Sequence, residues 1–228
     1  MKKLNIPSNL TSLAYDSIKE AILTGVLNEN SRLTEDFLSN QLGISKSPVR
    51  EALTRLETEG LIRIEPRKGA YLRRLTVKEV SDLYDLREAL EVHAMRTAKV
   101  SPELVTQLRQ SVARMRELVQ ADDKTGFADE DLRFHASLAA ATGNERLREA
   151  LENNQNLIWL VRRTTYDLAG SAAPQYHEGI VEALSADNRD AAGQIMRDHI
   201  RNVAQRLIGF LEAQAEQSKK MEDKALAS

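Results

Sequence analysis

The chain has 228 residues, of which 42% are hydrophobic, 4% aromatic and 29% charged, and it contains no cysteine. The missing cysteines exclude a disulfide scaffold, a zinc finger built on thiolates and a cysteine nucleophile. No run of about 18 apolar residues is present to span a membrane. No apolar stretch follows the two lysines of residues 1–7, so we expect no signal peptide and a cytoplasmic protein.

Charge is unevenly distributed along the chain, although the formal net charge is only −2. Residues 1–75 contain 12 Lys and Arg against 9 Asp and Glu, which leaves 20 against 25 for residues 76–228. A mildly basic N-terminal part favours a polyanion as its partner. Because the length also suits two domains, we predict one over residues 1–75 and a second over 76–228.

The first domain begins with two predicted helices. Apolar spacing predicts a helix over residues 13–24, which ends at Gly25. Thr34 then precedes a short helix that ends at Gly43 and is expected to turn Phe37 inward.

A third helix and a hairpin complete this domain. The helix begins at Ser45 or Ser47 and ends at Gly60. Two short apolar runs, 61–64 and 70–72, then flank a basic glycine turn, which predicts a β-hairpin. Together these elements predict a winged helix-turn-helix of three helices and a β-hairpin wing.

The second domain is predicted to be helical throughout. Thr76 and Glu79 have the spacing of a capping box, which opens its first helix. Later helices are predicted to begin near Ser101, Phe127, Asn144, Pro174 and Asn188. No strand pattern follows residue 72, so we expect a mainly α protein with an all-α bundle of six or seven helices after the winged module.

The third predicted helix has the features of a DNA recognition helix. Lys46, Arg50 and Thr54 recur every four residues, which places them on one face. Lys46 and Arg50 can reach guanine edges or phosphates, and Ser45 and Ser47 can donate to phosphate oxygens.

The hairpin turn is a second candidate contact with DNA. Arg67 and Lys68 place two cations at its tip, and Gly69 permits the tight turn. The alternative is that the cations of this domain are ordinary solvated charges.

A run over residues 45–53, Ser-Lys-Ser-Pro-Val-Arg-Glu-Ala-Leu, joins Arg32-Leu33, Glu59-Gly60-Leu61 and Gly69 in one pattern. This pattern, over residues 10–75, resembles the GntR family of bacterial repressors. The resemblance implies a homodimer that binds a palindromic, double-stranded DNA operator, with Arg32 among the residues at the DNA. Lys46 stands where the family usually has Arg, and Lys lacks the fork that contacts guanine through two bonds.

Three of the four histidines fall on inward helix faces. Asp131 and His135 are four residues apart on one helix, His177 lies in the first turn of another, and His199 is on the apolar stripe of the last helix. Each could be a hydrogen-bonded core residue, but one divalent metal would satisfy all four groups. Three imidazoles and a carboxylate suit Zn²⁺ first, with Ni²⁺ or Mn²⁺ as alternatives. His93 lies off the apolar face of its helix and is not predicted to be a metal ligand.

The segments Asp131-x-x-Phe134-His135, His177-Glu178 and Arg197-x-His199 form a second pattern, with Gly143-Asn144 between them. Over residues 77–212 this pattern resembles the FCD domain, an all-helical ligand-binding domain of one large GntR subfamily. The resemblance implies that the Asp and the three His bind a metal and that a small organic acid, the effector, binds beside it.

Arg87 is predicted to point along the buried stripe of its helix, where a guanidinium needs an anion. Two interpretations remain open. Arg87 either forms an internal salt bridge, to Asp131 or a glutamate, or it binds the carboxylate of the effector.

The sequence therefore predicts a bacterial transcription regulator, and the resemblance implies a repressor released by its effector. It is not predicted to be an enzyme. Two alternatives stay open: a metal-dependent enzyme with an attached DNA-binding module, and a bundle that only dimerises, with a structural metal or none. Apart from Asp131, Glu178 is the one carboxylate that the sequence suggests as a base beside the metal.

Overall fold

The computed structural model describes residues 9–28, 31–65, 68–165 and 172–226. The chain divides into two compact units, Met1–Arg74 and Leu75–Ser228. The architecture is mainly α. Among the described residues, strands occur only in the first unit, where they form a two-stranded sheet. The predicted fold class is therefore confirmed. No helix of the described residues is long and apolar enough to cross a lipid bilayer.

The first unit is a winged helix-turn-helix. Its elements are α1 (Asn9–Leu23), α2 (Glu35–Leu42), α3 (Lys46–Thr58), β1 (Ile62–Glu65) and β2 (Gly69–Leu72). Its core lies between α1 and α3, where Val49, Leu56 and Ile18 are buried. The Tyr15 hydroxyl donates to Glu59 at 2.6 Å, which links the two helices through a polar contact as well.

The predicted inward position of Phe37 is wrong. This side chain is 43% exposed, whereas its neighbours Leu38 and Ser39 are buried. Successive residues of a helix are rotated by about 100° around its axis. The buried face of this two-turn helix is narrow and includes Leu38, so the Phe37 side chain points away from it, towards solvent.

The wing is tied to the segment before α2. Strands β1 and β2 pair antiparallel, with Ile62 opposite Leu72 and Glu65 opposite Gly69. Leu33 forms an additional bridge to Ala70 through two backbone hydrogen bonds of 2.9 Å. This single-residue pairing has no sequence pattern of its own.

The second unit consists of six helices in the part of the chain that the structure describes. They are α4 (Val77–Thr97), α5 (Pro102–Gln120), α6 (Lys124–Ala141), α7 (Glu145–Thr165), α8 (Ala173–Ser185) and α9 (Arg189–Leu226). The capping box at the start of α4 is present, because Thr76 accepts from the Glu79 amide and the Glu79 carboxylate accepts from the Thr76 amide at 2.8 Å.

The core of this unit surrounds a small polar centre. Phe127, Phe134, Met115 and Ile180 are fully buried in one apolar cluster to which all six helices contribute. Because apolar side chains exclude water from this region, any polar group within it must find its partners inside the bundle.

Candidate metal centre and candidate nucleic-acid interface

Three helices bring the four predicted metal ligands together. Asp131 and His135 lie one turn apart on α6, His177 lies in the first half of α8, and His199 lies on α9. One ligand atom from each residue falls within 4.8 Å of the others, and every side chain is at most 2% exposed. The histidines that sequence spacing placed on separate inward faces therefore meet at one point.

The donor atoms of this cluster fit a divalent cation. Asp131 Oδ1 lies 3.6 Å from His177 Nε2 and 3.9 Å from His135 Nε2. Among the described residues, Nε2 of His135, Nε2 of His177 and Nδ1 of His199 have no hydrogen-bond partner. Three buried ring nitrogens without partners are costly unless something else binds them. A cation such as Zn²⁺, Ni²⁺ or Mn²⁺ prefers this donor set.

A second layer of charged groups orients His135. Its Nδ1 bonds Glu91 Oε2, and Glu91 Oε1 accepts from Arg87 Nε at 2.7 Å, with both of these α4 side chains buried. Burial alone would raise the pKa of Glu91, but the charge of Arg87 and the hydrogen bond from His135 lower it to about 2. An ionised Glu91 holds the proton on Nδ1 and leaves Nε2 facing Asp131.

The other two imidazoles are held in the neutral form. Burial lowers the pKa of His177 to about 3, and it also lowers the pKa of His199 well below its ordinary value. The ring of Phe134 stacks on that of His177, with centroids 4.3 Å apart and planes 19° from parallel. A neutral imidazole has the free electron pair that a metal needs, so the apolar surroundings prepare these rings as ligands.

Arg87 forms the internal salt bridge that was one of its two interpretations. Its partner is Glu91, a residue that the sequence reasoning missed as part of the site. The spacing contained a signal, because Glu91 follows Arg87 by four residues and so shares its buried face. Coulombic attraction to Glu91 and Asp131 raises the pKa of Arg87 although burial opposes it, so this cation is fixed.

The carboxylate suggested as a base for the enzyme alternative lies elsewhere. Glu178 is half-exposed and accepts from Arg116 at 2.6 Å on the outer face of α8. Glu91 is already engaged by Arg87 and His135. Neither carboxylate is thus poised to accept a proton from a molecule bound in the cluster.

The predicted recognition helix is α3, and its two cations are paired with acids of α2. Arg50 Nε and Nη2 donate to the two carboxylate oxygens of Glu35, both at 2.7 Å. Lys46 forms an ion pair with Asp36. Both cations remain largely exposed, with 67% of the Arg50 side chain accessible, so they lie on an outer face.

The hydroxyl-bearing residues of α3 occupy its outer face and its first turn. Ser45 is the N-cap residue but its side chain makes no capping bond, and Ser47 is exposed one turn before Arg50 and two turns before Thr54. The Thr54 hydroxyl donates to the carbonyl of Arg50 at 3.0 Å. The helix N-terminus therefore presents two exposed serines whose side chains form no cap.

The wing residues are held by local contacts. Arg32 Nε donates to the carbonyl of Lys68, and Lys68 Nζ lies 3.3 Å from Glu65. Gly69 has a φ of +107°, a conformation that residues with a Cβ rarely adopt. Arg67 lies outside the described residues.

Two family models match the chain. Residues 10–72 match the model described as bacterial regulatory proteins, gntR family, and residues 82–202 match the FCD domain. The second match alone covers more than half of the 228 residues.

Related proteins are regulators of transcription. The uncharacterized HTH-type regulator YdhC of Bacillus subtilis is 27% identical over 92% of this chain and 96% of its own length. The HTH-type transcriptional repressor RspR of Escherichia coli is 24% identical over 89% and 91%. The gluconate operon transcriptional repressor of B. subtilis is 30% identical over 67% and 63%.

Solved structures share the fold. A GntR regulator from Rhodococcus sp. RHA1 superimposes with a TM-score of 0.75 at 23% identity, over 87% of this chain and 97% of that one. McbR/YncC of E. coli gives the same TM-score at 20% identity, over 91% and 99%.

Proposed function

The chain belongs to the GntR family of bacterial regulatory proteins and is a transcription regulator with an FCD domain, and from this premise we propose that it is a metal-dependent, effector-responsive repressor. The first unit binds a palindromic operator as part of a homodimer. The second unit holds a divalent metal, beside which a small organic acid binds. Effector binding weakens operator binding, so transcription resumes.

The buried cluster is the observation that carries this proposal. Asp131, His135, His177 and His199 direct donor atoms to one point in an apolar core. Isolated core histidines would be expected to find hydrogen-bond partners, yet three ring nitrogens have none among the described residues. When bound, the metal offers an electrophilic position to a carboxylate oxygen of the effector.

The DNA-binding half of the proposal is supported by the outer face of α3. Lys46 and Arg50 form an exposed cationic pair one turn apart, and Ser45 and Ser47 lie at the same end of the helix. Such a helix can place its first turns in the major groove. The repressor names of two relatives support repression as the direction of control.

A thermal-shift screen tests the proposal. The full-length protein is loaded with Zn²⁺, Ni²⁺ or Mn²⁺ and melted with a panel of small organic acids, with and without a chelator. We expect one class of acid to raise the melting temperature only when metal is present, because a ligand that binds the folded state stabilises it. The same acid should release the protein from its operator.

The two alternatives give different results. If chelation changes neither the melting temperature nor the effect of any acid, the bundle needs no metal and only dimerises. Metal-dependent turnover of simple esters or acids would favour the enzyme. The regulator names of the relatives and the pairing of Glu178 with Arg116 favour the regulator.

A further inference from the structure

We propose that Glu35 is a positioning residue for operator recognition, because its carboxylate holds the Nε–Nη2 edge of the Arg50 guanidinium and leaves the adjacent Nη1–Nη2 edge to read a guanine. The inference rests on the proposed role of α3 in DNA binding and adds a residue that directs its specificity. The juxtaposition that carries it is an acid in the first turn of α2 facing a cation on the outer face of α3.

The geometry divides the guanidinium into a used edge and a free edge. Glu35 accepts from Nε and Nη2 at 2.7 Å each, so one N–H of each nitrogen is occupied. Of the five N–H groups of an arginine, three remain, two on Nη1 and one on Nη2. The edge between Nη1 and Nη2 is the fork that donates to O6 and N7 of guanine. Glu35 thus fixes the direction of this fork without consuming it.

The position of Glu35 is itself well defined. It is the first residue of α2, immediately after Thr34, whose hydroxyl accepts from the Phe37 amide at 3.1 Å and caps the helix. Leu38 anchors the same short helix in the core. The carboxylate is therefore carried by a rigid element, whereas an unpaired Arg50 could turn to any nearby phosphate.

The ion pair between Glu35 and Arg50 is expected to orient the Arg50 side chain rather than to stabilise the fold. Arg50 is 67% exposed, and exposed ion pairs contribute little to folding stability because water screens them. A bidentate contact nevertheless restricts the rotation of a long side chain. Fewer rotamers must then be fixed when DNA binds, which favours the one contact with the matching direction.

The neighbouring pair of Asp36 and Lys46 supplies an internal control. It is also an exposed acid–cation contact between α2 and α3. Lys46 carries a compact ammonium group with no fork to orient. Asp36 can screen charge but cannot set a bidentate direction, so neutralising each acid separates charge from orientation.

The experiment measures two affinities for the full-length protein by fluorescence anisotropy. The specific probe is a duplex selected by the wild-type protein from a random-sequence pool, and the non-specific probe is a mixed random duplex of the same length. The variants are Glu35→Gln, Glu35→Asp, Asp36→Asn and Arg50→Ala. Melting temperatures check that each variant is folded.

We expect Glu35→Gln to lower the ratio of specific to non-specific affinity by at least about 10-fold. Asp36→Asn should raise non-specific affinity but leave the ratio within about 2-fold of wild type, because both probes gain equally from the lost negative charge. Glu35→Asp keeps the charge but shortens the side chain, so the ratio should fall with no gain in non-specific affinity.

Equal ratios for Glu35→Gln and Asp36→Asn would overturn the inference, since charge alone would then explain both. Suppose that Arg50→Ala lowers the ratio of specific to non-specific affinity, whereas Glu35→Gln and Glu35→Asp leave it at the wild-type value. Arg50 then reads DNA without help from Glu35, and only this inference fails. If Arg50→Ala itself has no effect on operator binding, the proposed reading role of Arg50 fails as well.

Discussion

At the scale of single residues, the histidines differ in what surrounds them. His199 is buried among two other imidazoles and a carboxylate, whereas His93 lies on an exposed face of α4. The rings of His177 and His199 lie 4.7 Å apart between centroids. Such a separation between two neutral rings is compatible with binding one shared ion.

We predict that His199→Ala abolishes stoichiometric metal uptake, because it removes one of four donors and leaves a weaker three-donor site. Elemental analysis of the purified variant should show metal content close to zero. The matched control is His93→Ala, which should retain the wild-type content. An unchanged metal content in His199→Ala would show that His199 is not a ligand. Both variants should retain the non-specific DNA affinity of the wild-type protein.

Arg87 allows its two interpretations to be separated. We predict that Arg87→Ala lowers the free energy of unfolding by about 3–5 kcal/mol, because it leaves the Glu91 carboxylate buried without its cation. Adding Glu91→Gln should recover most of this loss, since the neutral amide still accepts from His135. Urea denaturation measures both variants.

The double variant then tests the effector. We expect it to fold and to bind DNA but to give a smaller melting shift with the effector, because its guanidinium is gone. A wild-type shift in the double variant would show that the effector does not bind Arg87, whose role would then be the salt bridge to Glu91.

Glu91 marks the limit of sequence reasoning at this scale. The spacing of Asp131 and His135 on α6 predicts that they project together, and Arg87 is predicted to be buried. Which of the helices faces α6 depends on the packing of the bundle. The hydrogen bond from His135 to Glu91 joins residues 44 positions apart, and no local periodicity determines that contact.

At the scale of elements, caps and turns decide where helices and strands begin and end. The Thr76 and Glu79 capping box was predicted from spacing alone because its chemistry is contained in four residues. Phe37 was misplaced because a two-turn helix has too few apolar residues to define its buried face. The bridge between Leu33 and Ala70 depends on tertiary placement, which periodicity does not contain.

The wing provides an element-scale prediction. A Cβ on Gly69 would lie 3.2 Å from Thr34 Cγ2 and 3.4 Å from the Leu33 carbonyl oxygen, at a φ of +107°. We predict that Gly69→Ala lowers the free energy of unfolding of the first unit by about 1–3 kcal/mol, from backbone strain and crowding together. Denaturation followed by circular dichroism measures the loss.

Gly43→Ala is the matched control for the wing. Gly43 also has a positive φ, +65°, but a Cβ there would meet nothing within 4 Å. Its substitution should therefore cost only the strain of the left-handed conformation, about 1 kcal/mol. A loss at Gly69 no larger than the loss at Gly43 would contradict the crowding at the wing.

At the scale of the whole molecule, the two units carry different kinds of polar chemistry. In Met1–Arg74 the paired charges that we propose to contact DNA lie on the outer face, between α2 and α3. In Leu75–Ser228 the polar cluster lies in the apolar core. Sequence periodicity could assign each group to a face, because exposure and burial follow helix spacing. It could not show that the inward groups of α6, α8 and α9 converge.

The depth of the cluster has a kinetic consequence. With every ligand side chain at most 2% exposed, an ion can reach or leave the four donors only when the bundle opens locally. The rate at which a chelator or a competing metal replaces the bound ion should therefore be limited by the local opening of these helices. This exchange should be slow compared with small-molecule diffusion. Metal loading, removal by a chelator and the approach of an acid to the ion would then all proceed at the rate of this local opening.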